Sequence, residues 1–267
     1  MKDNTNNKEF WNNYVSYWEN KVAEANENGN SFDKTVDDIL LEDFFNRLKV
    51  EPEEKLLDYG CGFGRLYPVY RQNVGEYQQN YFGIDVSSVS LEHAEIKYEQ
   101  LKIGSNLLEF DGEKIPFKDN FFDKIMCFSV FDAVNQEKVL SELLRVLKPE
   151  GRLLITGKNI KYFKEDEEAF IAEVNARKKE HPNSFTDVAY MGKQLSEYGI
   201  EICEAYYFLK RCDFALNRHV NTMPDIFYQW ALVLKKNTDA TSFSFQSFSS
   251  HYSETYLEMQ QNSKKRE

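Results

Sequence analysis

Lys55-Leu56-Leu57-Asp58-Tyr59-Gly60-Cys61-Gly62-Phe63-Gly64-Arg65-Leu66 sets the architecture that the rest of the chain completes. Leu56 and Leu57 read as a short buried strand, the alternating glycines as a tight turn, and Leu66-Tyr67-Pro68-Val69-Tyr70 as the start of the next element. A strand, a bare loop and a helix make a ligand site, because glycines remove Cβ atoms where backbone must approach a ligand and tolerate positive φ. The spacing narrows the ligand. A dinucleotide fingerprint needs Gly-x-Gly-x-x-Gly, and its third glycine would fall on Arg65. A Walker loop needs Gly-Lys-Ser/Thr, which Gly64-Arg65-Leu66 does not supply. Asp58, two residues before the loop, is a poor neighbour for a phosphate and a good one for a cation. The cofactor expected here has a nucleoside and a positive charge but no phosphate.

Downstream, Tyr81-Phe82-Gly83-Ile84-Asp85 reads as a second strand. It ends in a carboxylate about twenty residues beyond the loop, where an acid can accept both hydroxyls of a ribose. Asn106-Leu107-Leu108-Glu109-Phe110-Asp111-Gly112 reads as a third, again ending in an acid. Phe121-Phe122-Asp123-Lys124-Ile125-Met126-Cys127-Phe128-Ser129-Val130 has the length of a buried fourth strand. The loop after it, Phe131-Asp132-Ala133-Val134, falls at the carboxyl ends of the strands, and Asp132 is its polar group. A helix with Val139, Leu140, Leu143, Leu144 and Leu147 on one side stops at Pro149. Gly151 then turns the chain into a fifth strand, Leu153-Leu154-Ile155-Thr156. This alternation argues for a parallel, doubly wound sheet on its own.

Asp58-Tyr59-Gly60-Cys61-Gly62-Phe63-Gly64 resembles the first motif of class I S-adenosylmethionine-dependent methyltransferases, and Gly83-Ile84-Asp85-Val86-Ser87 resembles their second. The resemblance runs from Lys55 to Thr156. It implies a Rossmann-like, seven-stranded, mostly parallel sheet whose last strand is inserted antiparallel, with a helical cap at the N-terminus. It also implies S-adenosylmethionine as cofactor and S-adenosylhomocysteine as product. Carried onto this chain, it assigns Asp58 and the backbone of Gly60, Cys61, Gly62 and Gly64 to the methionine portion. Asp85 and Val86 would meet the ribose and Asp111 with Gly112 the adenine, while Phe128 and Ser129 would lie beneath the cofactor. Ile115-Pro116-Phe117 reads equally as the family's short turn before strand four and as an ordinary apolar turn.

At the N-terminal end, Phe10, Trp11, Tyr14, Val15, Trp18 and Val22 recur at three- and four-residue steps on one helical face. That face either docks on the main domain or covers the cofactor cleft, in which case Tyr14 and Trp18 stand near the acceptor. A second amphipathic stretch, with Val36, Ile39, Leu40, Phe44, Phe45 and Leu48, leads to the first strand. Beyond Gly157, residues 166–174 and 191–198 look helical, and 200–209 and 227–234 supply strands six and seven. Loops between those strands commonly reach over the acceptor in this family. Arg211 and Arg218 are therefore acceptor-side candidates, and His219 joins Asp132 as a candidate catalytic base. His93, His181 and His251, in a surface helix and in polar segments, rank lower. The boundaries that follow are a cap over 1–50, a cofactor-binding domain over 51–238 with an acceptor-side insertion around 158–226, and a tail over 239–267. The tail is open between packing on the cap, contacting a second subunit in a homodimer, and staying mobile.

The whole-chain balance bounds the partners. With 267 residues and 42% hydrophobic content there is enough to bury a core, and 21 Phe and 16 Tyr can line an aromatic pocket. A net charge of −11 disfavours nucleic acid, which needs a basic face. Cys61, Cys127, Cys203 and Cys212 have no zinc-ligand spacing, so no metal is expected. The polar N-terminus and the lack of a long apolar run imply a cytoplasmic protein without a membrane span. The leading expectation is methyl transfer to a small polar acceptor, a hydroxyl of a sugar or phosphorylated metabolite. A methyltransferase acting on protein or RNA is the alternative, and a non-catalytic S-adenosylmethionine-binding protein the third reading.

Overall fold

The computed structural model describes residues 7–15 and 36–264. Helix α1 covers residues 8–15 and α2 spans Val36–Leu48. Then follow β1 (Leu56–Tyr59), α3 (Leu66–Val74), β2 (Tyr81–Asp85), α4 (Ser88–Lys97), β3 (Leu107–Glu109), β4 (Phe122–Cys127), α5 (Gln136–Val146) and β5 (Leu147–Lys158). After these come α6 (Glu167–Lys178), β6 (Phe185–Thr186), α7 (Val188–Glu197), β7 (Ile200–Phe208), α8 (Arg211–Ala215), β8 (Gln229–Lys236), β9 (Ser249–Ser250) and α9 (Glu254–Lys264).

Seven of these strands form one sheet in the order β3-β2-β1-β4-β5-β8-β7. Six run parallel. β8 is antiparallel to both neighbours, with Leu154 facing Val233 and Tyr207 facing Trp230. Side chains alternate between the two faces, as a strand buried on both sides requires. In β4, Ile125 and Cys127 face α5 and α7, while Met126 faces α2 and α3. In β8, Trp230, Leu232 and Leu234 take the first face and Ala231 and Val233 the second. Helices therefore cover both faces. The apolar face of α5 (Val139, Leu140, Leu143, Leu144) is fully buried, and Asn135 caps its start by accepting the N–H of Lys138 at 3.2 Å.

Two features depart from the sequence reading. The turn expected at Pro149-Glu150-Gly151 lies inside β5, which already starts at Leu147; Glu150 sits at φ 64 and the register against β4 shifts between Phe122 and Lys124. β5 advances five residues there against two on β4, and the three extra residues bulge out without ending the strand. The tail returns to the molecule: Phe243 and Phe248 pack in the core beside α5 and α7, β9 pairs with β6, and the Glu254 N–H opening α9 donates to the Ile160 carbonyl at 2.8 Å. Among the described residues, no helix is long and apolar enough to cross a membrane.

Candidate active site

The loops that leave the carboxyl ends of β1, β2 and β4 enclose a cavity of about 300 Å³. It lies where the winding of the sheet reverses between β1 and β4, the switch point at which open α/β sheets bind ligands. The glycine loop makes one wall. Its turn is folded onto β2, with the N–H groups of Gly60 and Cys61 both donating to the Ile84 carbonyl at 2.9 and 3.1 Å. Gly60, at φ +70, is required by packing: a Cβ there would stand 2.6 Å from Cγ2 of Val130. Gly62, at φ +48, would have nothing within 4 Å of its Cβ, so its bare Cα faces open space where a ligand can come close.

Asp85 ends β2 against that wall. Its Oδ2 accepts the Gly62 N–H at 2.9 Å and its Oδ1 the Ser87 N–H at 2.8 Å. Each oxygen keeps one further lone pair, so the carboxylate is locked in place with two acceptor positions to spare. Burial raises its pKa, and the backbone bonds from Ser87 and Gly62 oppose the rise. Asp58 lies beneath the loop, buried, with the Tyr81 hydroxyl donating to its Oδ2 at 2.5 Å. Burial pushes this carboxyl up to about 7, against the pull of Tyr81. With a folded value above the unfolded one, Asp58 favours the fold most in acid, and that contribution is lost as pH rises through about 7. A positive charge brought over the loop reverses the trend by favouring the ionised form.

Aromatic and apolar groups make the rest of the wall. Tyr59 and Phe110 line it edge to face, with centroids 5.6 Å apart. Phe128 lines it beside Ser129, whose backbone is held at φ 58 by donating its N–H to Oγ1 of Thr156 at 2.8 Å. From above, α1 contributes Trp11, Tyr14 and Val15. Asn12 ties that helix down, its Oδ1 accepting the Ser87 hydroxyl at 2.8 Å at the start of α4, and Lys8 pairs with Glu109 at the end of β3.

The structure brings much of the expected set to the cavity. Gly60, Cys61, Gly62, Asp85 and Val86 line it, as do Gly112, Phe128, Ser129, Asp132 and Tyr14. Others stand elsewhere. Asp58 and Gly64 lie behind the loop, where a Cβ on Gly64 would meet Ile103 Cδ1 at 2.9 Å. Asp111 is exposed and folds onto its own turn, its Oδ1 accepting the N–H groups of Glu113 and Lys114; those bonds hold it below the usual carboxylate range. Phe110 and Gly112 line the cavity on either side of it. His219 packs against Tyr206 and Phe208 at the far edge of the sheet, with ring centroids 4.9 and 5.9 Å away, and is not on the cavity. Arg211 donates to the Tyr228 hydroxyl at 3.2 Å, and Arg218 is exposed in the loop before β8; neither lines the cavity. Trp18 lies outside the described residues.

His181, which ranks low on sequence, lines the cavity with Asp132. Three rings of α1 surround it: Phe10, Trp11 and Tyr14, at 5.9, 5.4 and 5.0 Å between centroids. Asp132 is paired with Lys158 at 2.6 Å, which holds it below the usual carboxylate range in spite of burial. Nothing local marks His181 or Lys158; both are defined by contacts between residues distant in the chain.

The donor set fits a nucleoside that carries a cation: a locked carboxylate with spare acceptor sites, a bare glycine, and a buried carboxyl beneath the loop. The comparisons point the same way. Residues 57–155 match the family model described as a methyltransferase domain. An uncharacterized protein of Methanocaldococcus jannaschii is 33% identical over 127 residues, covering 46% of this chain and 51% of that protein. The ubiquinone/menaquinone biosynthesis C-methyltransferase of Paraburkholderia phymatum is 32% identical over 117 residues, covering 40% and 44%. The chain thus spans about half the length of the curated relatives it matches. Geranyl diphosphate C-methyltransferase of Streptomyces coelicolor, solved with Mg2+, geranyl diphosphate and S-adenosylhomocysteine, superposes with a TM-score of 0.57 at 15% identity, covering 75% of this chain and 79% of that one. Its likeness is one of fold. The motif, the sheet order and the family match agree, and the fold of residues 57–155 is that of a methyltransferase domain.

Proposed function

We propose that the protein transfers a methyl group from S-adenosylmethionine to a small molecule with a flat, largely apolar body and one ionisable reacting atom, such as a hydroquinone or phenol. The observation that carries this reading is the part of the cavity lining that the cofactor assignments leave over. There, Trp11, Tyr14 and Val134 supply apolar surface, and Asp132 and His181 supply the polar groups. The quinone-directed names among the relatives favour the same class.

Bound against the glycine loop, the cofactor supplies a methyl group on a positively charged sulfur. Asp85 would hold the ribose through its two spare lone pairs, and Phe110 and Gly112 would flank the adenine. Phe128 would support the cofactor from beneath. Residues 8–15 act in this proposal as a cap: their rings exclude water and press the acceptor toward the loop. Holding two reactants close and in line replaces a bimolecular encounter, an effect worth roughly 7–11 kcal/mol in favourable cases. Aromatic faces beside a cation add about 0.5–2 kcal/mol.

The sugar or phosphorylated acceptor expected from the sequence finds no support in the site, since Arg211 and Arg218, the candidates to face an anionic group on it, are not on the cavity. A protein or RNA acceptor is disfavoured by the cap and by the net charge of −11. The test is incubation of the full chain with methyl-labelled S-adenosylmethionine and, separately, a naphthohydroquinone, a simple phenol, a hexose and a hexose phosphate. Saturable labelling of the hydroquinone or phenol is expected. Labelling confined to the sugars would overturn this acceptor class.

A further inference from the structure

We propose that His181 is the residue that takes the proton from the acceptor, presented to the cavity by a strap, residues 181–184, that crosses the loop after β4. The proposal rests on the acceptor class given above.

Three bonds along the strap and its continuation fix its place. The Ser184 N–H donates to the Asp132 carbonyl at 2.7 Å. Lys158 Nζ donates to Oδ1 of Asn183 at 2.5 Å. The Thr186 hydroxyl donates to Gln136, whose own amide donates to the Phe131 carbonyl. β6, which continues the strap, is closed on its other side by β9 from the tail. His181 therefore stands on a segment braced by β5, α5 and the C-terminal region, which is more than a surface turn needs.

The ring is also set in one tautomer. Nδ1 lies 2.6 Å from the Pro182 carbonyl oxygen, which can only accept, so Nδ1 carries the proton and Nε2 keeps its lone pair. The one hydrogen bond of the ring among the described residues is that of Nδ1. Burial among Phe10, Trp11 and Tyr14 lowers the pKa of the imidazole below its ordinary value, which favours the neutral ring. The charged groups facing it are Asp132, which favours the imidazolium, and Lys158 and Lys179, which oppose it.

In the step itself the acceptor's O–H bond breaks and its proton passes to Nε2. The electron pair left on the oxygen forms the bond to the methyl carbon, and the sulfur keeps the pair of the bond it loses. The imidazolium that results stands beside the Asp132 carboxylate and returns its proton to water after product leaves. Asp132 and Lys158 are positioning residues in this scheme.

Two measurements on the full chain test it. Nitrogen-resolved NMR of the histidine rings, assigned with His181→Gln, should show protonated Nδ1 and bare Nε2 at pH 7, titrating below pH 6.5. His181→Gln should bind S-adenosylhomocysteine within threefold of wild type. It should methylate the hydroquinone at least roughly a hundredfold more slowly and lose the acid limb of the rate profile, whereas His219→Gln should leave all three unchanged. An imidazolium at pH 7, the opposite tautomer, or a His181→Gln rate within threefold of wild type would overturn the proposal. Should wild type methylate none of the probes, the acceptor class fails, and the ring tautomer and titration alone decide on His181.

Discussion

At the scale of single residues, the two glycines at 60 and 62 sit two positions apart in the same loop for different reasons. Both are left-handed, so alanine at either costs about 1–2 kcal/mol of backbone strain. At Gly60 the new methyl also collides with Val130, adding about 1–3 kcal/mol of overpacking. At Gly62 it meets no protein atom and projects into open space against the cavity. Gly60→Ala should therefore show the larger loss in urea denaturation. Gly62→Ala should stay folded and lose tenfold or more in S-adenosylhomocysteine affinity by calorimetry. Equal stability losses, or full affinity in Gly62→Ala, would contradict this division. Asp85 belongs to the same scale: its backbone bonds to Gly62 and Ser87 make the loop and the acid one rigid unit.

At the scale of elements, what was legible in the sequence and what was not follow from the range of the interactions. β1, β2, β4 and α5 are announced by their own residues, through apolar runs, an acid at a strand end and a helical apolar face. The cofactor wall is built from the turns directly after those strands, so Gly60, Gly62, Asp85 and Asp132 were accessible to local reading. His219 is a candidate by its place in the loop before β8, but that loop falls toward β7, where Tyr206 and Phe208 take its ring. His181 sits in a polar run that gives no local signal. Its place on the cavity depends on β6, a two-residue strand whose partner arrives from residues 249–250. Glu137, near the start of α5, holds that partner by accepting the N–H groups of Phe248 and Ser249 at 2.7 and 2.8 Å and the Ser249 hydroxyl at 2.9 Å. Glu137→Ala strips these groups of their acceptor and should cost about 1–3 kcal/mol. It should also raise amide exchange across residues 181–186 while leaving β1 and β4 protected. Exchange unchanged in 181–186 would mean that the tail does not brace the strap.

At the scale of the whole molecule, the chain divides its work between the two ends of the cavity. The loops after β1, β2 and β4 carry the groups that fit a cationic nucleoside, while α1 and His181 of the strap complete the lining, the strap being braced by the returning tail. The first half follows a pattern common to the fold. In the proposed function the second meets the acceptor, and the fold by itself does not choose one, since one fold serves many acceptors. The claim beneath both halves is that the glycine loop and Asp85 hold S-adenosylmethionine. It is tested most directly by calorimetric titration of the full chain, as wild type and as Asp85→Ala, with S-adenosylhomocysteine. The account predicts a dissociation constant on the order of micromolar for wild type and no measurable heat for a folded Asp85→Ala. A folded wild type that binds nothing, or an Asp85→Ala that binds as tightly as wild type, would contradict it.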